Sequence, residues 1–324
     1  MITTVVGNYP KLSTRPQAPS LRRAISQFDT GQITREELSA VANEATREAI
    51  REQMEAGVDL VTDGQIRWDD GQTYFAQGIK GFTAGGLLRY FDTNTYFRQP
   101  IPQERLEWSG PITMKDFRLA QETSTRPVKP VIIGPFTLGY LSQQGCYHDR
   151  ATLVLDLAHI LNQEALALQE AGATIIQFDE PAILRHKQDF SLLQEASVVV
   201  TQGLQLKTAI YTWFRDISDI HRQFFRLPFQ VFGLDFIMGK ANYDLIRDLP
   251  SDRELGAGIL DARNTRMETV DELVESIRRI SRHVSLDRLY VNPSAGLEFL
   301  PRDTAQAKLA RLVQGAKKAQ EVLK

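Results

Sequence analysis

The sequence predicts an α/β protein, a (β/α)8 TIM barrel with a long insertion between its second and third strands. Three observations predict it. Eight short apolar runs alternate with long helical patterns along 324 residues. Most of the runs are near-continuously apolar, the mark of parallel strands covered on both faces. No glycine-rich phosphate fingerprint follows the first run, which favours a closed barrel over an open doubly wound sheet.

The runs are Thr3–Val6, Asp59–Thr62, Val128–Ile133, Thr174–Phe178, Leu206–Thr212, Val231–Ile237, Gly256–Leu260 and Leu289–Val291. After the first, Thr34-Arg-Glu-Glu37 reads as a capping box. Its helix passes Ala45, Ala49 and Met54 and stops at Gly57. The stretch from Gln65 to Arg126 is too long for one helix. Gly85-Gly86 and the aromatics Tyr90, Phe91, Tyr96, Phe97 and Trp108 predict a hairpin over the barrel mouth, roughly residues 78–112. A helix from Asp149 to Ala171 carries Leu153, Leu157, Ile160, Leu161, Ala165 and Leu168 at 3–4 spacing and ends at Gly172. Asp271–Arg282 and Thr304–Leu323 are the last two amphipathic helices. The expectation is one domain over residues 1–324.

Composition narrows the function. Apolar residues at 42% and charged ones at 24% fit a soluble globular chain. The 38 basic and 40 acidic side chains leave a net charge of −2, so nucleic acid and anionic membranes are not expected partners. The single cysteine, Cys146, excludes an internal disulfide and a multi-thiolate metal site. Met1–Gly7 lacks the basic and apolar regions of a signal peptide, and no run reaches the ~18 apolar residues of a membrane span. The expected compartment is the cytoplasm.

Barrel chemistry sits at the C-terminal ends of the strands. Those ends deliver Gly7-Asn8-Tyr9-Pro10, Asp63-Gly64-Gln65 with Arg67, Gly134-Pro135-Phe136, Asp179-Glu180-Pro181, Tyr211 with Trp213 and Arg215, Asp235, Asp261 with Arg263, and Asn292 with Ser294. Carboxylates and guanidiniums meeting at one mouth suit a zwitterion. Asp179-Glu180 is the sharpest feature, because two acids end a buried apolar strand. The bland alternative is that one of them caps the next helix or pairs with Arg185. Gly7–Pro10 reads equally as a plain turn or an anion cradle, and the aromatics at 90–108 as hairpin packing or as a stack for a planar heterocycle. His148, His159 and His283 have no ligand spacing around them and read as structural or surface residues.

Read together, the segments Thr3–Pro10, Val61–Gln65, Pro130–Pro135, Phe178–Ala182 and Val291–Ser294 resemble the cobalamin-independent methionine synthase family, within the wider uroporphyrinogen-decarboxylase-like barrels. The resemblance spans nearly the whole chain. Tyr90-Phe-Asp92-Thr-Asn94-Thr-Tyr96, Gly258–Asn264 and Pro293–Leu297 are similar to the metal-free N-terminal half of the long family member.

The resemblance implies methyl transfer from methyltetrahydrofolate, or from a methylcorrinoid, to homocysteine or a related thiol. In the catalytic half of the family a zinc ion holds the thiol, on a His-x-Cys pair, a Glu and a second Cys. The matching positions here are Ala209, Tyr211, Asp235 and Ala295, so the zinc site is degenerate and no metal or cofactor is expected. The substrate-binding residues implied are Asp179 for the amino group, Glu180 for amino or pterin groups, and Asn8 and Gln65 for the carboxylate end. Asp63, Arg67 and Trp213 complete the expected set. The expected partner is an amino-acid or folate-type small molecule. The alternative is a non-catalytic, metal-free barrel that binds ligand or partners a catalytic methionine synthase barrel. Metal-free decarboxylation is a third possibility, since the wider group also performs it.

Overall fold

The computed structural model describes residues 1–12 and 20–323. Its strands are β1 (Ile2–Thr3), β2 (Ile79–Arg89), β3 (Tyr96–Trp108), β4 (Val131–Ile133), β5 (Ile175–Asp179), β6 (Lys207–Tyr211), β7 (Val231–Asp235), β8 (Glu254–Leu260) and β9 (Leu289–Pro293). The helices are α1 (Leu21–Asp29), α2 (Arg35–Glu55), α3 (Gly71–Gly78), α4 (Met114–Thr123), α5 (Pro135–Leu141) and α6 (Arg150–Glu170). They continue with α7 (Phe190–Val200), α8 (His221–Phe224), α9 (Asn242–Leu245), α10 (Val270–Ser281) and α11 (Arg302–Val322).

Seven strands form a curled parallel sheet in the order β1-β9-β8-β7-β6-β5-β4. The gap between β1 and β4 is spanned by residues 59–61. Thr4 bridges Leu60 and Val61 bridges Val128, both in parallel sense. The Val61 N–H donates to the Pro127 carbonyl (3.1 Å) and the Lys129 N–H to the Val61 carbonyl (2.8 Å). The ring therefore has eight positions, but the segment predicted as strand Asp59–Thr62 holds its place by bridges rather than by a ladder. Pro127 and Pro130 explain this: neither has an N–H to donate, so regular pairing starts only at Val131. The first strand is also shorter than predicted. The carbonyls of Val5 and Val6 are taken by the Lys129 ammonium (2.9 Å) and the Gln177 amide (2.7 Å), from inside the ring.

The helices start where the caps predict. The Glu37 N–H donates to Thr34 Oγ1 (3.1 Å) and the Thr34 N–H to Glu37 (2.7 Å), and Gly57 takes φ +87° just past α2. Asp149 caps α6, whose Leu153, Leu157, Leu161, Ala165 and Leu168 are fully buried.

Strands β2 and β3 form an antiparallel hairpin between residues 79 and 108. Its base is fastened by Glu164, a buried carboxylate on α6. Glu164 accepts the N–H groups of Ile112 and Thr113 (2.8 Å each) and the Thr113 hydroxyl (2.7 Å). Replacing it with leucine strands those donors in a dry environment. Glu164→Leu is expected to lower the unfolding free energy by about 2–4 kcal/mol and to open the 109–113 segment to protease, read by urea denaturation and limited proteolysis.

At the opposite flank of the ring, Arg302 at the start of α11 is buried against α2. Its guanidinium pairs with Glu52 (2.9 Å) and Glu48 (3.3 Å) and lies 5.5 Å from the centre of the Tyr9 ring.

Candidate active site

The C-terminal strand ends and the hairpin enclose a cavity of about 310 Å³. Asn8, Gln65, Asp179 and Trp213 line it, joined by Trp68, Tyr90 and Tyr96 from the hairpin side and by Lys11 and Glu298. Of the candidates read from sequence, those first four are brought together.

The other three lie outside the lining. The Glu180 carboxylate turns to the start of α5 and accepts the N–H groups of Phe136 (3.0 Å) and Thr137 (2.7 Å). It thus fills orphan donors of a helix start, and Gly134 leaves the room, since a Cβ there would come 2.1 Å from Glu180 Cδ. Arg67 points away from the mouth. It pairs with Asp116 (3.2 Å) and bonds Ser39 and Asn43 of α2. Asp63 is buried near Asp116 rather than facing the cavity. Arg185 pairs with Asp92 of the hairpin turn, not with Asp179 or Glu180.

Asp179, at the end of β5, lines the cavity with Asp69, Asp70 and Glu298. Gln177 donates one amide hydrogen to it (2.7 Å) and the other to the Val6 carbonyl. Burial lifts Asp179 well above the usual carboxylate range, with Glu180 and Glu298 adding to the rise and Gln177 and Lys129 opposing it. Gln65 is held in a left-handed conformation (φ +52°) beside Gly64 (φ +71°), and its Oε1 is buried with no hydrogen-bond partner among the described residues. A Cβ at Gly7 would meet the Gln65 amide nitrogen at 2.8 Å, so a side chain there would push that amide aside. Glu298 Oε2 is likewise buried with no hydrogen-bond partner among the described residues, and burial pushes Glu298 up to about 7, tempered by the Lys11 charge. The cavity thus offers acceptors in excess.

Sequence reading missed Glu298, Lys11 and Lys129. Glu298 stands one residue beyond the Pro293–Leu297 segment, and Lys11 follows Pro10 directly. Lys129 did carry a signal: it is a lone cation inside a buried apolar run.

Three buried acids link the site to stability. Asp63, Glu180 and Glu298 are each raised to about 7, chiefly by burial. A raised carboxyl pKa means the fold holds the proton more tightly than the unfolded chain. The stability this provides is complete below the unfolded value of about 4 and is lost as pH rises to about 7. The melting temperature is expected to fall between about pH 4 and pH 7. Scanning calorimetry across that window checks it, and a steadily rising melting temperature contradicts it.

The zinc implied by the family resemblance does not fit this donor set. Ala209 and Ala295 have no donor atom. Burial raises the Tyr211 phenol further above its ordinary value, which disfavours the phenolate a metal would need. The Asp235 oxygens already accept the N–H groups of Phe214, Ile237 and Met238 (2.7–3.0 Å). Among the described residues, no three His, Cys, Asp or Glu side chains come together as a metal site. The Tyr211 ring fills the bore instead. A Cβ on Gly233 would come 2.2 Å from it, and one on Gly256 2.3 Å from its hydroxyl.

No helix among the described residues is long and apolar enough to cross a membrane. Residues 1–318 match the family model described as the catalytic domain of cobalamin-independent synthase. The chain is 35% identical to the methionine synthase of Saccharolobus solfataricus, over 99% of this chain and 96% of that protein. It is 33% identical to that of Sulfurisphaera tokodaii, over 99% and 93%. Among solved structures, the B12-independent methionine synthase of Shewanella sp. W3-18-1, in complex with selenomethionine, superposes with a TM-score of 0.86. That match has 21% identity and covers 99% of this chain and 98% of that one, so it speaks for the fold. Strand-end motifs, barrel and matches over nearly the full length agree: the chain belongs to the cobalamin-independent synthase catalytic-domain family.

Proposed function

We propose that this chain is a methionine-synthase-type methyltransferase whose cavity takes homocysteine, or a related thiol amino acid, as methyl acceptor. One observation carries the reading: Asp179 forms no salt bridge among the described residues, and Glu298 adds an unpartnered buried oxygen in the same cavity. An ammonium group supplies the charge and the N–H donors that such acceptors lack. A space of about 310 Å³ is at the small end of ligand sites and suits an amino acid. Asp179 receives the α-ammonium. The amides of Asn8 and Gln65 hold the carboxylate end, and Trp213 packs on the aliphatic part.

The methyl donor is methyltetrahydrofolate or a methylcorrinoid. With the folate donor, sulfur forms a bond to the methyl carbon as the carbon–nitrogen bond breaks, and the thiol proton ends on the leaving nitrogen. Glu298 titrates near neutrality and is suited to pass that proton. No step is routed through zinc.

The degenerate zinc positions favour one second reading, a metal-free barrel that binds ligand and assists a catalytic one. A single experiment separates the two. The purified protein is assayed for zinc and for methionine formed from homocysteine with each donor. Methionine without stoichiometric zinc supports the transferase. No product alone, but a stable complex with a catalytic family barrel and activity only in the mixture, supports the partner reading.

A further inference from the structure

Beneath the cavity lies a charged group that the proposed transfer does not use. Lys129 is 1% exposed, with an ammonium that has three neighbours: the Val5 carbonyl (2.9 Å), the Gln177 side-chain oxygen, and the Tyr211 ring, whose centre is 4.9 Å away. Such a buried cation persists only where each N–H meets an acceptor. Gln177 then passes the constraint upward. With its oxygen bound by Lys129, its amide hydrogens face the Val6 carbonyl and Asp179.

We infer that Lys129 is a positioning residue, which through Gln177 aims Asp179 into the cavity and eases its ionisation as the receptor for a substrate ammonium. The inference rests on the reading of Asp179 given above. The charge pattern supports it. Among the described residues, Asp179 is faced by Glu180 and Glu298, which oppose its ionisation, by the phenols of Tyr90 and Tyr211, and by the favourable cation Lys129. Burial lowers the Lys129 ammonium to about 7 while Asp179 opposes the fall, so its charge acts on the acid side of that value. Lys129 is also faced by Tyr211 and shares a small void with Asp63 and Asp116. Tyr211 also explains how the lysine is kept in the bore, since its π-face receives the third N–H where the family has a thiolate.

The test is methionine binding to wild type, K129M, K129Q and Q177M from acid to alkaline pH. Quenching of the cavity tryptophans, Trp68 and Trp213, reads it out. Without the cation Asp179 takes up its proton at higher pH, so the acid limb of binding should move up by about one pH unit and affinity near pH 6 fall about tenfold. A purely structural role would weaken binding equally at every pH. If K129M does not fold, K129Q carries the test, because it removes the charge and keeps a donor for the Val5 and Gln177 oxygens. An acid limb that stays put in the folded variants, with normal wild-type binding, overturns the role of Lys129 alone. No binding of methionine to wild type overturns the Asp179 reading and this inference together.

Discussion

Asp179→Asn is expected to weaken methionine binding by about 10²- to 10³-fold, the range for removing one charge of a buried ion pair. The substitution keeps the shape of the side chain and loses only the charge and one acceptor. The fold should not suffer. Asp179 has its pKa raised in the folded state, so above that value its ionisation costs stability, and asparagine removes the cost. The variant should therefore melt no lower than wild type at alkaline pH while binding the amino acid poorly. Isothermal titration beside calorimetric melting checks both halves. Loss of binding together with a marked loss of stability would place Asp179 among structural residues.

Arg302→Met carries the largest expected effect on stability. Glu52 is 2% exposed and Arg302 2%, so the change leaves a carboxylate in a dry place without its guanidinium. Breaking one side of such a pair costs about 3–5 kcal/mol. Paired replacement behaves differently: Arg302→Met with Glu52→Leu removes the guanidinium and the closer of its two carboxylates, leaving Glu48, and should recover part of the loss. The guanidinium also lies over Tyr9, whose N–H donates to the Gly64 carbonyl (2.9 Å), between Asn8 and Gln65 of the cavity. The single variant is thus expected to weaken ligand binding as well. Chemical denaturation of the single and double variants decides it.

What could be read in advance followed from local rules. The capping box at Thr34, the glycine stops at Gly57 and Gly172 and the continuous apolar runs act over a few residues, and the structure keeps them. What could not be read depended on groups far apart in sequence. The shortened first strand is set by side chains of Lys129 and Gln177 reaching from other strands. Asp179 and Glu180 look alike as neighbours, yet one faces the cavity and the other the start of α5, because successive residues leaving a strand point to opposite sides. Arg67 was read as a mouth residue, but Asp116, some fifty positions on, sits on α4 and draws it outward. Glu298 is one step past a recognised segment, and among the described residues its Oε2 has no hydrogen-bond partner to announce it.

The fit of the Tyr211 ring against Gly233 and Gly256 has a consequence for how this barrel can change over generations. Cysteine at 211 alone would leave an unfilled space behind it, at a cost of several kcal/mol for an aromatic removed from a packed interior. A side chain at 233 or 256 alone would collide with the ring. Each single step away from the present arrangement loses stability before any metal could compensate. The three positions form a mutational valley with steep sides, left only by changing several residues at once.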